Sequence, residues 1–225
     1  EPSFVTRAIV ERMADPDHPL VPFLHVPLQS GSERILAAMK RGHTAAAFLD
    51  LTLAAAEKLP GAGFGTDVMA GFPGETDADF EATLGLLEAS PVDYAHVFPY
   101  SERPGTAASR APGDRVPPDI VAKRVNALLA FSRARRQRFM ARFAGQACCV
   151  LFETLESGHW VGYGEPYLRV GVPDTGMDLR NRFAWVRVEE PREEWVLGRL
   201  IETLDTWRKP ASVTPMALDT ARETP

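Results

Sequence analysis

The chain has 225 residues, 45% hydrophobic and 24% charged, with 25 Lys plus Arg against 30 Asp plus Glu for a net charge of −5. This composition belongs to a soluble globular protein and excludes a disordered tail, a coiled coil or a collagenous repeat as its main character. On so acidic a body, any nucleic-acid site must be a local basic patch.

The first stretch, residues 1–112, alternates short apolar runs with longer helical patterns. Phe4 to Met13 predicts an opening helix, and Val21 to Leu28 a buried strand bounded by polar turn residues. Ser32 suits an N-cap, with Ile35, Leu36 and Met39 on one face of the helix that follows. A second helix starts after Thr44, carries Phe48, Leu51, Ala55 and Leu59, and ends before Pro60-Gly61. Phe64 to Phe72 predicts a strand, Thr76 to Leu87 a helix with acidic residues in its first turn, and Tyr94 to Phe98 a third strand. Strand–helix alternation without hairpin turns implies an α/β fold of parallel βα units. In such a sheet the chemistry sits at the carboxyl ends of the strands. Those ends are residues 29–32, 71–75 and 99–101. Three strands cannot close a barrel, so the parallel unit is expected to be incomplete.

Residues 113–145 follow a Pro- and Gly-rich loop and predict a basic connecting helix opened by Pro117-Pro118 and stopped by Gly145. It carries Lys123, Arg124, Arg133, Arg135, Arg136, Arg138 and Arg142. From residue 146 to 204 the period changes to two, and five short strands predict a small antiparallel β-barrel of OB type. Residues 205–225 are polar and Pro-containing, the composition of a disordered tail.

The only cysteines, Cys148 and Cys149, are adjacent. That excludes a disulfide scaffold and points to a reducing, cytoplasmic compartment. No apolar run approaches the roughly 20 residues of a membrane span, so no membrane partner is expected. The chain opens on Glu1 rather than Met, and a piece of a longer protein is expected. His25, His96 and His159 are scattered in sequence and suggest no metal site.

Four ordered motifs carry a resemblance. They are residues 25–32 with residues 39–44, then residues 66–76, and residues 100–106. Together they resemble the middle of the radical S-adenosylmethionine methylthiotransferases, and the small barrel resembles the terminal RNA-binding TRAM domain of that family. The resemblance covers nearly everything from Glu1 to about Glu202. It implies part of a TIM-like radical enzyme barrel, S-adenosylmethionine as cofactor, two four-iron four-sulfur clusters in the full-length parent, and tRNA as partner. Residues 96–101 and 162–170 are most similar to the branch that methylthiolates carbon 2 of threonylcarbamoyladenosine next to the anticodon. The alternatives are the isopentenyladenosine branch, the ribosomal-protein branch, and a non-catalytic RNA-binding module. One departure is large: the cluster-binding cysteine motifs are absent, and Cys148-Cys149 cannot replace them because adjacent strand residues point to opposite faces. The chain alone is therefore expected to be inactive, and no catalytic residue is assigned. Electron donor and sulfur source stay open.

Under the resemblance, Gln29, Ser30, Arg41, Asp67, Gly71, Gly74 and Glu75 form the cofactor wall. Each has a plainer alternative. Ser30 belongs to a strand-to-helix turn, Arg41 is a cation at a helix carboxyl end, residues 71–75 make a tight turn, and Asp67 is a carboxylate held by an internal partner. Arg103, Thr106, Arg135, Arg136, Tyr163, Tyr167 and Arg169 are the expected RNA or substrate contacts. Against that stand a surface turn, a solvated charged face and ordinary barrel-core aromatics.

Overall fold

A computed structural model describes residues 1–15, 17–102 and 114–204. The chain divides into two compact units, Glu1–Phe139 and Met140–Pro225.

The first unit opens with a 3-10 turn over Pro2–Phe4 and helix α1 over Arg7–Ala14. There follow β1 (Phe23–His25), α2 (Glu33–Ala38), α3 (Ala45–Lys58), β2 (Gly63–Ala70), α4 (Asp77–Ala89), β3 (Tyr94–Pro99) and α5 (Pro118–Ala141). The helix starts are written in side chains. Thr6, Ser32, Thr44 and Thr76 each accept a hydrogen bond from the backbone N–H three residues on. Such a cap stabilises its helix by about 1 kcal/mol.

The three strands form a parallel sheet in the order β1-β2-β3. β1 is shorter than the eight-residue run from Val21 to Leu28 predicts. Pro27 has no N–H to give to a ladder, and the Thr66 hydroxyl takes over there, donating to Val26 O at 2.8 Å and accepting from Leu28 N at 3.1 Å. Pairing resumes at Gln29, whose N–H donates to Asp67 O and whose carbonyl accepts from Met69 N.

Period two divides the residues of β2 between the faces. Phe64, Thr66, Val68 and Ala70 are all buried, whereas Asp67 and Met69 are only half-buried. The buried face belongs to a core that includes Leu28, Phe48, Val68, Leu87 and Leu128, each with 0% exposure. Strand β3 is tied to α5 through Ser132, whose hydroxyl accepts from Ala95 N at 2.9 Å and donates to Ala95 O at 3.0 Å. The basic helix thus groups with the parallel sheet as far as Phe139.

The second unit contains β4 (Ala147–Glu156), β5 (His159–Gly164), β6 (Leu168–Pro173), β7 (Phe183–Pro191) and β8 (Val196–Leu204). They close a barrel in the order β4-β5-β6-β8-β7. The expectation of a wholly antiparallel barrel is corrected: β6 and β8 pair parallel. The reason is parity, because strand direction cannot alternate all the way round a ring of five. Val150, Phe152, Val170, Ala184, Val186, Val188 and Val196 are at 0% exposure. The predicted tail, residues 205–225, lies outside the described residues.

Candidate functional site

At the carboxyl ends of β1 and β2 the turns into α2 and α4 meet, and most polar groups there bind one another. Ser30 is fully buried. Its hydroxyl lies 3.4 Å from the Thr83 hydroxyl and accepts from Ser32 N at 3.2 Å. Gly31 N donates to Thr83 Oγ1 at 2.9 Å. This close seam requires a glycine, because a Cβ on Gly31 would stand 2.5 Å from Thr83 Cα. Asp79 is the hub, accepting from the Ser32 hydroxyl at 2.6 Å, from Thr76 N and Oγ1 at 2.8 and 2.6 Å, and from Arg34. Burial disfavours its charge, but the hydrogen bonds from Ser32, Thr76 and Arg34 outweigh burial and hold the carboxyl well below the usual carboxylate range.

A folded carboxyl with a depressed pKa stabilises above its unfolded value, and the contribution is lost as pH falls. Replacing Asp79 by Asn should therefore cost about 2 kcal/mol at neutral pH. It should also flatten the fall in stability below about pH 5. Urea unfolding followed by far-UV circular dichroism across that range checks both.

The loop over residues 71–75 is held from beneath. Glu75 Oε2 accepts from Gly71 N at 2.7 Å and from Arg124 Nη1 at 2.7 Å, while Arg124 Nη2 donates to Asp77 Oδ1 at 2.6 Å. Burial pushes the Glu75 carboxyl up against the hydrogen bonds from Gly71 and Arg124. Gly71 has φ +83°, and a Cβ there would lie 2.5 Å from Val121 Cγ2, so its missing side chain makes room for α5. Gly74, also at positive φ, gives its carbonyl to Arg34 Nη2 at 2.7 Å. Glu75 and Gly71 thus shape the loop from its inner side.

The buried Tyr100 hydroxyl has no partner among the described residues; its ring meets Phe72 edge-on at 5.5 Å and lies under the Arg115 guanidinium. Gln29, at 8% exposure and φ +70°, stands at a neighbouring strand end. A polar, aromatic-bearing small molecule such as S-adenosylmethionine fits the orphaned hydroxyl beside the Phe72 ring. An iron–sulfur cluster does not fit the residues present. It needs several convergent thiolates, and Cys148 and Cys149 are adjacent and buried on β4, with burial pushing the Cys148 thiol up to about 12.

On the half-open face of the sheet, Asp67 Oδ1 stands 3.0 Å from His25 Nε2 and 3.4 Å from His96 Nδ1. Scattered in sequence, these histidines are brought together by parallel register. Asp67 pairs directly with His96, and His25 with Gly65 two residues before Asp67. Arg41 stands elsewhere, 3.7 Å from the Glu1 carboxylate and beside His43. Arg103 and Thr106 lie outside the described residues.

The two predicted contacts on α5 are already engaged. Arg135 donates to the carbonyls of Leu87 and Glu88 at the end of α4 and stacks over Phe131, and Arg136 lies over the Tyr94 ring. Arg133 and Arg138 are exposed. In the barrel, Tyr163 and Tyr167 stack with ring centroids 4.5 Å apart. Tyr167 is 49% exposed at φ +71°. Arg169, on the neighbouring strand, donates to Glu156 at 2.8 Å. Trp160, another aromatic on β5, is core at 5% exposure.

Residues 2–87 match the family model of the Radical SAM superfamily. The tRNA-2-methylthio-N(6)-dimethylallyladenosine synthase of Ehrlichia chaffeensis is 40% identical over 133 residues, which are 59% of this chain and 30% of that protein. Its namesake in Arthrobacter is 38% identical over 157 residues, 70% of this chain and 30% of the relative. That of Porphyromonas gingivalis is 32% identical over 182 residues, 80% of this chain and 39% of the relative. The chain thus spans well under half the length of these relatives. Among solved structures, coproporphyrinogen III oxidase (HemN) of Escherichia coli, a radical SAM enzyme, is similar at a TM-score of 0.48 and 18% identity, over 60% of this chain and 31% of that one.

Proposed function

We propose that this chain is part of a radical S-adenosylmethionine enzyme that methylthiolates an adenosine of tRNA, and that it supplies a wall of the cofactor site together with an RNA-binding barrel. The observation that carries the reading is the Radical SAM match over residues 2–87 joined to relatives named as tRNA methylthio synthases. The alignment of 182 residues is longer than the first unit, Glu1–Phe139, so the likeness runs on into the barrel.

S-adenosylmethionine bound here, given one electron by a reduced cluster held elsewhere in the parent, would supply the chemistry that removes hydrogen from the target carbon. The residues of this chain bind and orient. Gln29 offers its side-chain amide, and Tyr100 its unpartnered hydroxyl, at the strand ends. Ser30, Gly31 and Asp79 fix the β1–α2 turn, and Glu75 with Arg124 fixes the loop whose Gly71–Gly74 backbone would border the adenine. In the barrel, the Tyr163–Tyr167 pair offers a stacking platform for an unpaired base, and Arg169 beside it would have to exchange its Glu156 partner for a phosphate. Exposed Arg133 and Arg138 are the better phosphate contacts on α5, since Arg135 and Arg136 are engaged within the first unit.

The relatives' names favour dimethylallyladenosine, the isopentenyl-type nucleoside, over threonylcarbamoyladenosine as the target. The second reading keeps threonylcarbamoyladenosine, on the strength of residues 96–101 and 162–170. Mass spectrometry of tRNA nucleosides from cells lacking the full-length gene separates them. Loss of the methylthio group from dimethylallyladenosine, restored by the intact gene, supports the first. The same loss from threonylcarbamoyladenosine supports the second, and unchanged tRNA overturns both.

A further inference from the structure

We propose that His25, Asp67 and His96 form a site for a divalent transition metal of the zinc, cobalt or iron(II) class. Each of the three strands contributes one ligand, and the central carboxylate is flanked by a histidine from either neighbour. The three ligand atoms lie within 4.8 Å of one another. His25 Nε2 and His96 Nδ1 stand 3.0 and 3.4 Å from Asp67 Oδ1. Ligands about 2.05 Å from a tetrahedral ion are separated by about 3.3 Å, so an ion can replace the shared protons with little movement. Two imidazoles and one carboxylate, with positions left open, are a donor set that suits these ions.

Two further features support a built site. The His25 ring is oriented from behind, its Nδ1 lying 3.4 Å from the Tyr94 hydroxyl, which leaves Nε2 to face Asp67. Metal-bound histidines are held in this way by an outer partner. Gly65 makes that arrangement possible, because a Cβ there would stand 2.7 Å from His25 Nδ1 and 2.5 Å from the Tyr94 hydroxyl. The site is also accessible, since the His96 side chain is 53% exposed and those of His25 and Asp67 are 27% and 24% exposed.

The test is titration of the untagged chain with cobalt(II) and zinc(II), followed by visible absorption and calorimetry. The expected result is one ion per chain and a cobalt d–d spectrum of low coordination number. Asp67→Asn and His96→Gln should each weaken binding at least tenfold, and Tyr94→Phe by about tenfold through the loss of its hold on His25. Because His96 is half-exposed, its substitution tests the site without threatening the fold. His159→Gln, in the other unit, should leave binding intact. Absence of stoichiometric binding, binding that survives Asp67→Asn and His96→Gln, or a cobalt–thiolate charge-transfer band would each overturn the proposal.

Discussion

Replacing Arg124 by Met should destabilise the first unit by about 3–5 kcal/mol, the usual consequence of removing one partner of a buried ion pair. Arg124 and Glu75 have side chains only 6% and 1% exposed. The guanidinium also donates to the Glu75 carbonyl at 3.2 Å and to Asp77, so one side chain on α5 holds the whole β2–α4 turn. Without it, Glu75 keeps only Gly71 N as a side-chain hydrogen-bond partner among the described residues, in a buried place. The tryptophans among the described residues, Trp160, Trp185 and Trp195, all belong to the barrel unit and do not report on the first. The loss should therefore appear in the helical signal of far-UV circular dichroism during urea unfolding. Adding Glu75→Gln removes the stranded charge, and the double variant should lose less than the sum of the two single ones by about 1–3 kcal/mol. Strict additivity would mean that Arg124 acts through α5 packing alone.

Local rules made the elements legible. Thr6, Ser32, Thr44 and Thr76 are residue types that cap helices, and three of those starts follow from the sequence alone. Period two located all five barrel strands from residue 147 onward. Parallel pairing of β1, β2 and β3 followed from strand–helix alternation. What stayed hidden depends on register and on long-range partners. Arg124 read as one more cation on a basic helix, yet it is buried against Glu75, 49 residues away. Arg135 read as a phosphate contact, yet it bonds carbonyls at the end of α4. His25 and His96 are 71 positions apart, and only the offset between three parallel strands puts both on Asp67. Asp67 itself gave the usable signal, a carboxylate inside an otherwise apolar strand that needed a partner. That a closed ring of five strands must contain one parallel pair follows from its odd number, whereas its place between β6 and β8 depends on the strand order.

The second large effect falls on the barrel. Gly162 lies on β5 opposite Phe152 at the irregularity of the β4–β5 ladder. A Cβ at Gly162 would stand 2.0 Å from Leu151 O and 2.7 Å from Phe152 Cα. The obstacle is backbone, so no side-chain rotation relieves it, and the two strands must separate or the bulge must move. Gly162→Ala should therefore cost about 2–4 kcal/mol, large for the addition of one methyl group. Gly158, which would meet nothing within 4 Å, is the contrasting position. Its positive φ of +78° makes Asn a better replacement than Ala, and Gly158→Asn should cost under about 1 kcal/mol. Trp160, Trp185 and Trp195 all belong to the barrel unit, so tryptophan fluorescence during urea unfolding reads both variants directly. The neighbouring Tyr163–Tyr167 stack adds a functional readout, because a shifted β5 carries Tyr163 with it. Gly162→Ala should then weaken binding of single-stranded RNA even where the barrel remains folded. Unchanged RNA affinity in a folded Gly162→Ala variant would separate the platform from the strand that bears it and sink the assignment of Tyr163.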